Sequence, residues 1–168
     1  PVIERLADLV SDQYRHHVLS LNRRQPGFGA FLPLALGARN PAVGDSLRPF
    51  RHGEGLAYLA PGKGVLHATM LDRLADWICD HVARTEALPD LVIGHKLTVE
   101  GILARKVARR LGIPFAITIQ GNTDLKIIDA RRDLRSRFAS IYHDAACVFS
   151  FAPWAHKAVS QRLGHSQI

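Results

Sequence analysis

Cysteine, methionine and tryptophan are scarce in this sequence, and long apolar runs are missing altogether. The two cysteines, Cys79 and Cys147, are too few for a disulfide framework or a paired Cys-x-x-Cys site. One lies in a helix pattern and the other in a strand pattern, so both read as small buried hydrophobes in a reducing compartment. A structural zinc site is not expected. No run approaches the ~20 apolar residues of a membrane span, and no signal-peptide pattern is visible. Several catalytic signatures are missing as well. There is no Gly-x-Ser-x-Gly elbow, no His-Glu-x-x-His and no paired-carboxylate spacing that would point to a hydrolase. Gly62-Lys63-Gly64 fails as a P-loop, because Ala57 stands where the first glycine should be.

What remains is an ordinary globular composition with an uneven charge. The chain has 168 residues, 47% of them apolar, and a mean hydropathy near zero. That suits one domain, which at this size buries roughly 70% of its unfolded surface. Net charge is +7, and residues 105–137 carry nearly all of it, with nine Lys and Arg against three Asp. Such a stretch attracts anions, whether phosphorylated substrate, anionic lipid or nucleic acid; the plainer alternative is a solvated helix face with basic ends. The chain opens on Pro1 without an initiating Met, and we expect it to be a piece of a longer protein.

Residues 90–124 organise the rest. Leu91-Val92-Ile93 is a short apolar run of the kind a strand buried on both faces shows. Gly94 and His95 end it, and Thr98 is placed to cap a helix with apolar positions at Val99, Leu103, Val107 and Leu111. Arg109-Arg110, Gly112 and Pro114 are stop signals for that helix. A second apolar run, Phe115 to Ile119, follows at once and ends in Gln120-Gly121. Strand, helix, strand at this spacing predicts a parallel βαβ unit. Ligands in open α/β sheets sit beyond the carboxyl ends of the strands. His95-Lys96 and Gln120-Gly121-Asn122 are therefore the first candidates for chemistry, with Ser150 ending a later strand at the same rim.

This stretch resembles the N-terminal domain of retaining GT-B glycosyltransferases of the glycogen-synthase-like and sucrose-synthase-like group, whose pattern is Asp-Val-Ile-His-Ala-His, a helix ending Arg-Leu-Gly-Ile-Pro, and a strand closing Thr-Val-His-Gly. Asp144-Ala-Ala-Cys-Val-Phe-Ser150 is close to the family's Asp-Ala-Val-x-x-x-Ser. The resemblance implies a Rossmann-like, doubly wound, mostly parallel sheet over residues 1–168, forming a single acceptor-side domain. It also implies that the family's first strand and glycine-rich loop precede residue 1, and that a second domain supplies most donor contacts. The implied activity is transfer of a sugar from a nucleotide-sugar donor to a carbohydrate or lipid-linked acceptor, in polysaccharide or glycolipid biosynthesis, with no metal or other cofactor; the fragment alone would be inactive. The implied location is cytoplasmic, or peripheral at the inner membrane face through the basic 105–137 stretch, with no nucleic-acid partner.

His95 matches the second His of the family's strand motif, and Lys96 beside it is placed to meet a phosphate. Gln120 departs from the family, where His often precedes the glycine. Glutamine holds a hydroxyl but exchanges no proton near neutral pH. Gly121 lets backbone approach a ligand. Each has a plainer reading as strand-end cap, surface lysine or turn. Asn122, Thr123 and Asp124 read first as a helix cap, and Glu100 as a favourable first-turn charge. Competing functions are a nucleotide-sugar epimerase of the same fold, and a non-catalytic Rossmann-like or nucleic-acid-binding module.

Elsewhere the spacing predicts a helix over 2–12 with a Val2, Leu6, Leu9, Val10 seam, and a strand over 17–21. A Gly- and Pro-rich irregular region spans 23–64, with a short strand at Leu56 to Leu59. A helix is expected over 67–84, striped by Met70, Leu71, Leu74, Trp77, Ile78, His81 and Val82. After a turn from Thr85 to Pro89 and the central unit comes one long helix through Ile127, Ala130, Leu134, Phe138 and Ile141. A strand at 145–150 and a helix from Pro153 to Gly164 close the chain.

Overall fold

The apolar periodicities resolve into an α/β arrangement of short strands and amphipathic helices in the computed structural model, which describes residues 2–25, 48–60, 66–84 and 88–164. Two compact units, Pro1–Met70 and Leu71–Ile168, divide the chain. Most of the region expected to be irregular, and part of the turn after Thr85, lie outside the described residues.

The first unit holds α1 (Val2–Leu9), β1 (Val18–Arg24), β2 (Arg48–Phe50) and β3 (Gly53–Leu59). Its sheet has the order β1-β3-β2. β1 runs parallel to β3 from Val18↔Gly53 to Arg24↔Leu59, and β2 is antiparallel to β3. Leu56, Ala57 and Tyr58 supply its buried strand residues. The seam expected on α1 is not buried as such. Leu6 and Leu9 are 49% and 78% exposed, and Ala7 is the buried residue. Polar contacts tether this short helix instead: Asp8 Oδ1 accepts from His52 Nε2 at 2.7 Å and meets Arg51 Nη1 at 3.1 Å.

The second unit carries the expected βαβ unit. It contains most of α2 (His67–Val82), then β4 (Val92–Gly94), α3 (Glu100–Leu111), β5 (Phe115–Ile119), α4 (Asn122–Ala130), α5 (Arg135–Asp144), β6 (Cys147–Ser150) and α6 (Pro153–Leu163). β4-β5-β6 form an all-parallel sheet, flanked by helices and compatible with a Rossmann-like arrangement. All five residues of the central β5 are buried, as an apolar run between parallel neighbours requires. Gly112 takes φ 71° as the left-handed C-cap of α3, with its N–H on Ala108 O, so the stop signals operate as read. On α2, Leu71, Leu74, Ile78 and Cys79 are buried, and Trp77 stacks on His81 at 4.8 Å between centroids. No helix among the described residues is long and apolar enough to cross a membrane.

Three local expectations are corrected. The 91–93 run is not buried on both faces: Leu91 and Ile93 are 44% and 45% exposed, because one face of β4 is left uncovered among the described residues. Thr98 does not cap α3: the N-cap position is Val99, with no side-chain cap bond, and the Thr98 hydroxyl goes elsewhere. The single long helix is instead α4 and α5 joined by a 3-10 turn, Arg132–Leu134, with Arg131 at φ −109°, ψ 63° breaking the path. The reason is local composition. Between the buried Ile128 and Phe138 no residue is buried, so no core-facing stripe holds one continuous helix through the break.

Candidate functional site

Parallel pairing fixes the site. Gly94 at the end of β4 registers with Ile117, and Ile119 at the end of β5 registers with Ser150 of β6. The three carboxyl ends therefore share one edge, and the residues just past them, His95-Lys96, Gln120-Gly121 and Phe151, form its rim. Gly94 is buried, and a Cβ there would lie 3.1 Å from the Glu100 backbone. β4 is thus pressed onto the start of α3 and turns sharply into the 95–99 loop.

A buried carboxylate joins the first two of these loops. Asp124, in the first turn of α4, is 0% exposed. Its Oδ1 accepts from the Thr98 backbone N–H at 3.1 Å and from Thr98 Oγ1 at 2.8 Å. Its Oδ2 accepts from the Gln120 N–H at 2.8 Å. One side chain satisfies donors at the starts of two helices, where a negative charge is favoured. Thr118 Oγ1 adds a bond to His95 O at 2.8 Å. The loops carrying His95 and Gln120 are held as a pair, although the sequence reading gave Asp124 only a capping role.

The rim is electrostatically unusual. Burial pushes the His95 imidazole below its ordinary value, favouring the neutral ring. Burial also pushes the Glu100 carboxyl up; the nearby Asp124 charge adds to this, while a bond to its own backbone and the Lys96 charge oppose it. Lys96 Nζ stands 3.9 Å from Glu100 Oε1, and Glu100 Oε2 is buried without a hydrogen-bond partner. An imidazole shifted toward its neutral form, a carboxyl shifted toward its protonated form, an ammonium and an exposed Gln120 amide together can orient hydroxyl groups and meet a phosphate.

The other candidates fall nearby with different roles. Asn122 is the exposed first residue of α4. The Ser150 hydroxyl is engaged in the turn into α6, donating to Ala152 O at 2.8 Å and accepting from the Ala152 N–H at 3.4 Å. Gly121 has φ 68°, ψ −126°, and a Cβ there would lie 3.1 Å from the Trp154 ring. Close approach and backbone conformation both demand glycine here. Trp154 itself, 53% exposed, is a rim residue the sequence reading missed. It was legible only as the start of a helix, and no linear signal sets it beside Gly121.

The basic 105–137 stretch is largely paired. Lys106 Nζ reaches Asp76 Oδ2 at 2.9 Å, Arg110 binds Asp76 at 3.0 Å and Asp80 at 3.1 Å, and Arg137 binds Asp72. Arg105 Nε holds Asp144 at 2.7 Å. Asp72, Asp76 and Asp80 recur every four residues on one face of α2, a stripe that α3 and α5 meet with cations. Comparison with models of protein families, with curated proteins and with solved structures finds no match to the chain.

Proposed function

We propose that this chain is the acceptor-side half of a GT-B glycosyltransferase, moving a sugar from a nucleotide-sugar donor to a carbohydrate or lipid-linked acceptor. One observation carries the reading: adjacent parallel strands bring His95 and Gln120-Gly121 to a single rim, with their loops tied together through Asp124. Sugar transfer needs groups that hold hydroxyls and meet departing phosphate charge without reorganising. His95, Gln120 and Lys96 supply those functions, and the exposed Trp154 ring offers an apolar platform beside them. Gln120 orients rather than transfers a proton, so the leaving phosphate is the natural proton acceptor in this scheme.

Calorimetric titration of the chain with a panel of nucleotide sugars and oligosaccharides tests the reading. Saturable binding of at least one, weakened about tenfold or more in His95→Ala and Gln120→Ala, is the expected result. In the protein with its native flanking sequence, a labelled sugar should pass from donor to acceptor. Binding that both variants leave intact, or a panel in which nothing binds, would remove the proposal.

A further inference from the structure

Away from the rim, three arginines line a second concavity. It encloses about 230 Å³ between Ile128 and Asp129 of α4, Arg132 of the 3-10 turn, Arg135 of α5 and Arg162 of α6. At ~30 Å³ per water, it holds roughly seven or eight water molecules. That is room for one or two phosphoryl groups but not for a nucleotide sugar.

The charges inside it do not balance. Arg162 is fully engaged, with Nε and Nη2 on the two Asp129 oxygens at 2.7 and 3.0 Å, and Nη1 on Ala158 O at 3.0 Å. This fork-on-carboxylate pair neutralises one positive charge and fixes the wall. The Arg162 guanidinium, through its hydrogen bond, and the cations around it hold Asp129 below the usual carboxylate range. Arg135 points Nε and Nη2 at the Arg162 carbonyl, a neutral partner; it shares the field of Asp129 with Arg162 but forms no ion pair of its own among the described residues, and its remaining N–H groups are not used in that contact. Arg132 has no carboxylate within ion-pair distance among the described residues. Asp133, next to it in the chain, is bound by Arg131. Two positive charges are thus left facing one small cavity, preorganised by a third arginine that is itself locked.

We propose that this pocket binds a phosphoryl group, as inorganic phosphate, a phosphate monoester or diphosphate, or a lipid phosphate headgroup. Planar guanidinium forks match phosphate oxygens in a way surface lysines do not. The proposal is independent of the sugar-transfer reading, because it uses none of the rim residues. Counting along α4 at 1.5 Å per residue, Asp129 lies roughly 10 Å from Asn122 at the rim.

The test is a titration of the chain with inorganic phosphate and pyrophosphate at constant ionic strength, followed by calorimetry and by amide NMR shifts. Arg132→Ala and Arg135→Ala should each weaken binding about tenfold, while Arg109→Ala, on α3 outside the pocket, should leave it unchanged. A second arm uses neutral phosphatidylcholine vesicles with and without phosphatidate. Free phosphate that binds while phosphatidate vesicles do not identifies a soluble source. Phosphatidate binding that free phosphate displaces identifies the headgroup. Either supports the pocket. Phosphate effects reproduced by chloride at equal ionic strength, or indistinguishable between the chain and its Arg132→Ala and Arg135→Ala variants, would overturn it. Circular dichroism of each variant separates lost binding from lost fold.

Discussion

Two carboxyl groups at the rim behave in opposite ways because of their hydrogen bonds. Asp124 accepts three donors and is fully buried, whereas Glu100 has one oxygen shut away from water with nothing to accept. Deleting the first should be costly. Asp124→Ala leaves the Thr98 N–H and hydroxyl and the Gln120 N–H without partners, and should lower unfolding free energy by roughly 3 kcal/mol. Asp124→Asn should lose less, since its oxygen can still accept from Thr98 while its NH₂ faces the Gln120 N–H. Urea unfolding measures both; an Asp124→Ala value within experimental error of the parent would contradict the clamp. Glu100 gives the reverse expectation. Its folded-state affinity for a proton exceeds the unfolded one, so its stabilising contribution is complete below the ordinary carboxylate range and is lost as pH rises through the raised value. Glu100→Gln should therefore be at least as stable as the parent at neutral pH and lack that decline. A parallel pH profile in the variant would sink this. His95 acts on the other side: its contribution is present above the ordinary imidazole range and is lost as pH falls through the lowered value.

Among elements, α2 is the one whose two faces do different work. Leu71, Leu74 and Ile78 bury one side, and the aspartates at 72, 76 and 80 meet Lys106, Arg110 and Arg137 on another. Asp76 is the hub, since it bonds both Lys106 and Arg110. The side chains of these pairs are 28–58% exposed, so solvent weakens them. Asp76→Asn should cost about 1 kcal/mol at low ionic strength and much less at 1 M salt, where the Debye length is ~3 Å. Thermal melts at the two salt concentrations check the difference; a salt-independent loss would assign the effect to packing instead. The break between α4 and α5 belongs to this scale too. Arg132 of the 3-10 turn and Arg135 of α5 line one cavity with Asp129 of α4, so the break lies within its wall.

At the scale of the whole molecule, the second unit has an extensive apolar core of its own. Among the described residues, the second unit buries Leu74, Ile102, Leu103, Val107, Ile117, Ile119, Ile128, Phe138, Ile141, Tyr142 and Val159, while the first buries mainly small residues besides Leu56, Tyr58 and Met70. Burial of a large apolar side chain contributes ~1.5–3 kcal/mol, so the second unit carries a core large enough to hold it folded. Residues 67–168 expressed alone should show native-like circular dichroism and one cooperative thermal transition. A broad, non-cooperative melt would mean that this unit depends on the preceding residues.

The sequence by itself determined the βαβ unit and its rim. The apolar runs at 91–93 and 115–119, the Arg-Arg-Leu-Gly-Ile-Pro stop and the alternation of periods are all local signals, and local signals fix local structure. It also marked His95, Lys96, Gln120 and Gly121, because a parallel sheet must gather its strand ends along one edge. Tertiary structure alone decided the partners of the side chains. Asp124 reaches back 26 residues to Thr98, the aspartates of α2 neutralise cations more than 25 residues away, and Trp154 comes to rest on Gly121. Each depends on the angle and separation of packed helices, quantities set by the summed fit of many side chains rather than by any short pattern of residues.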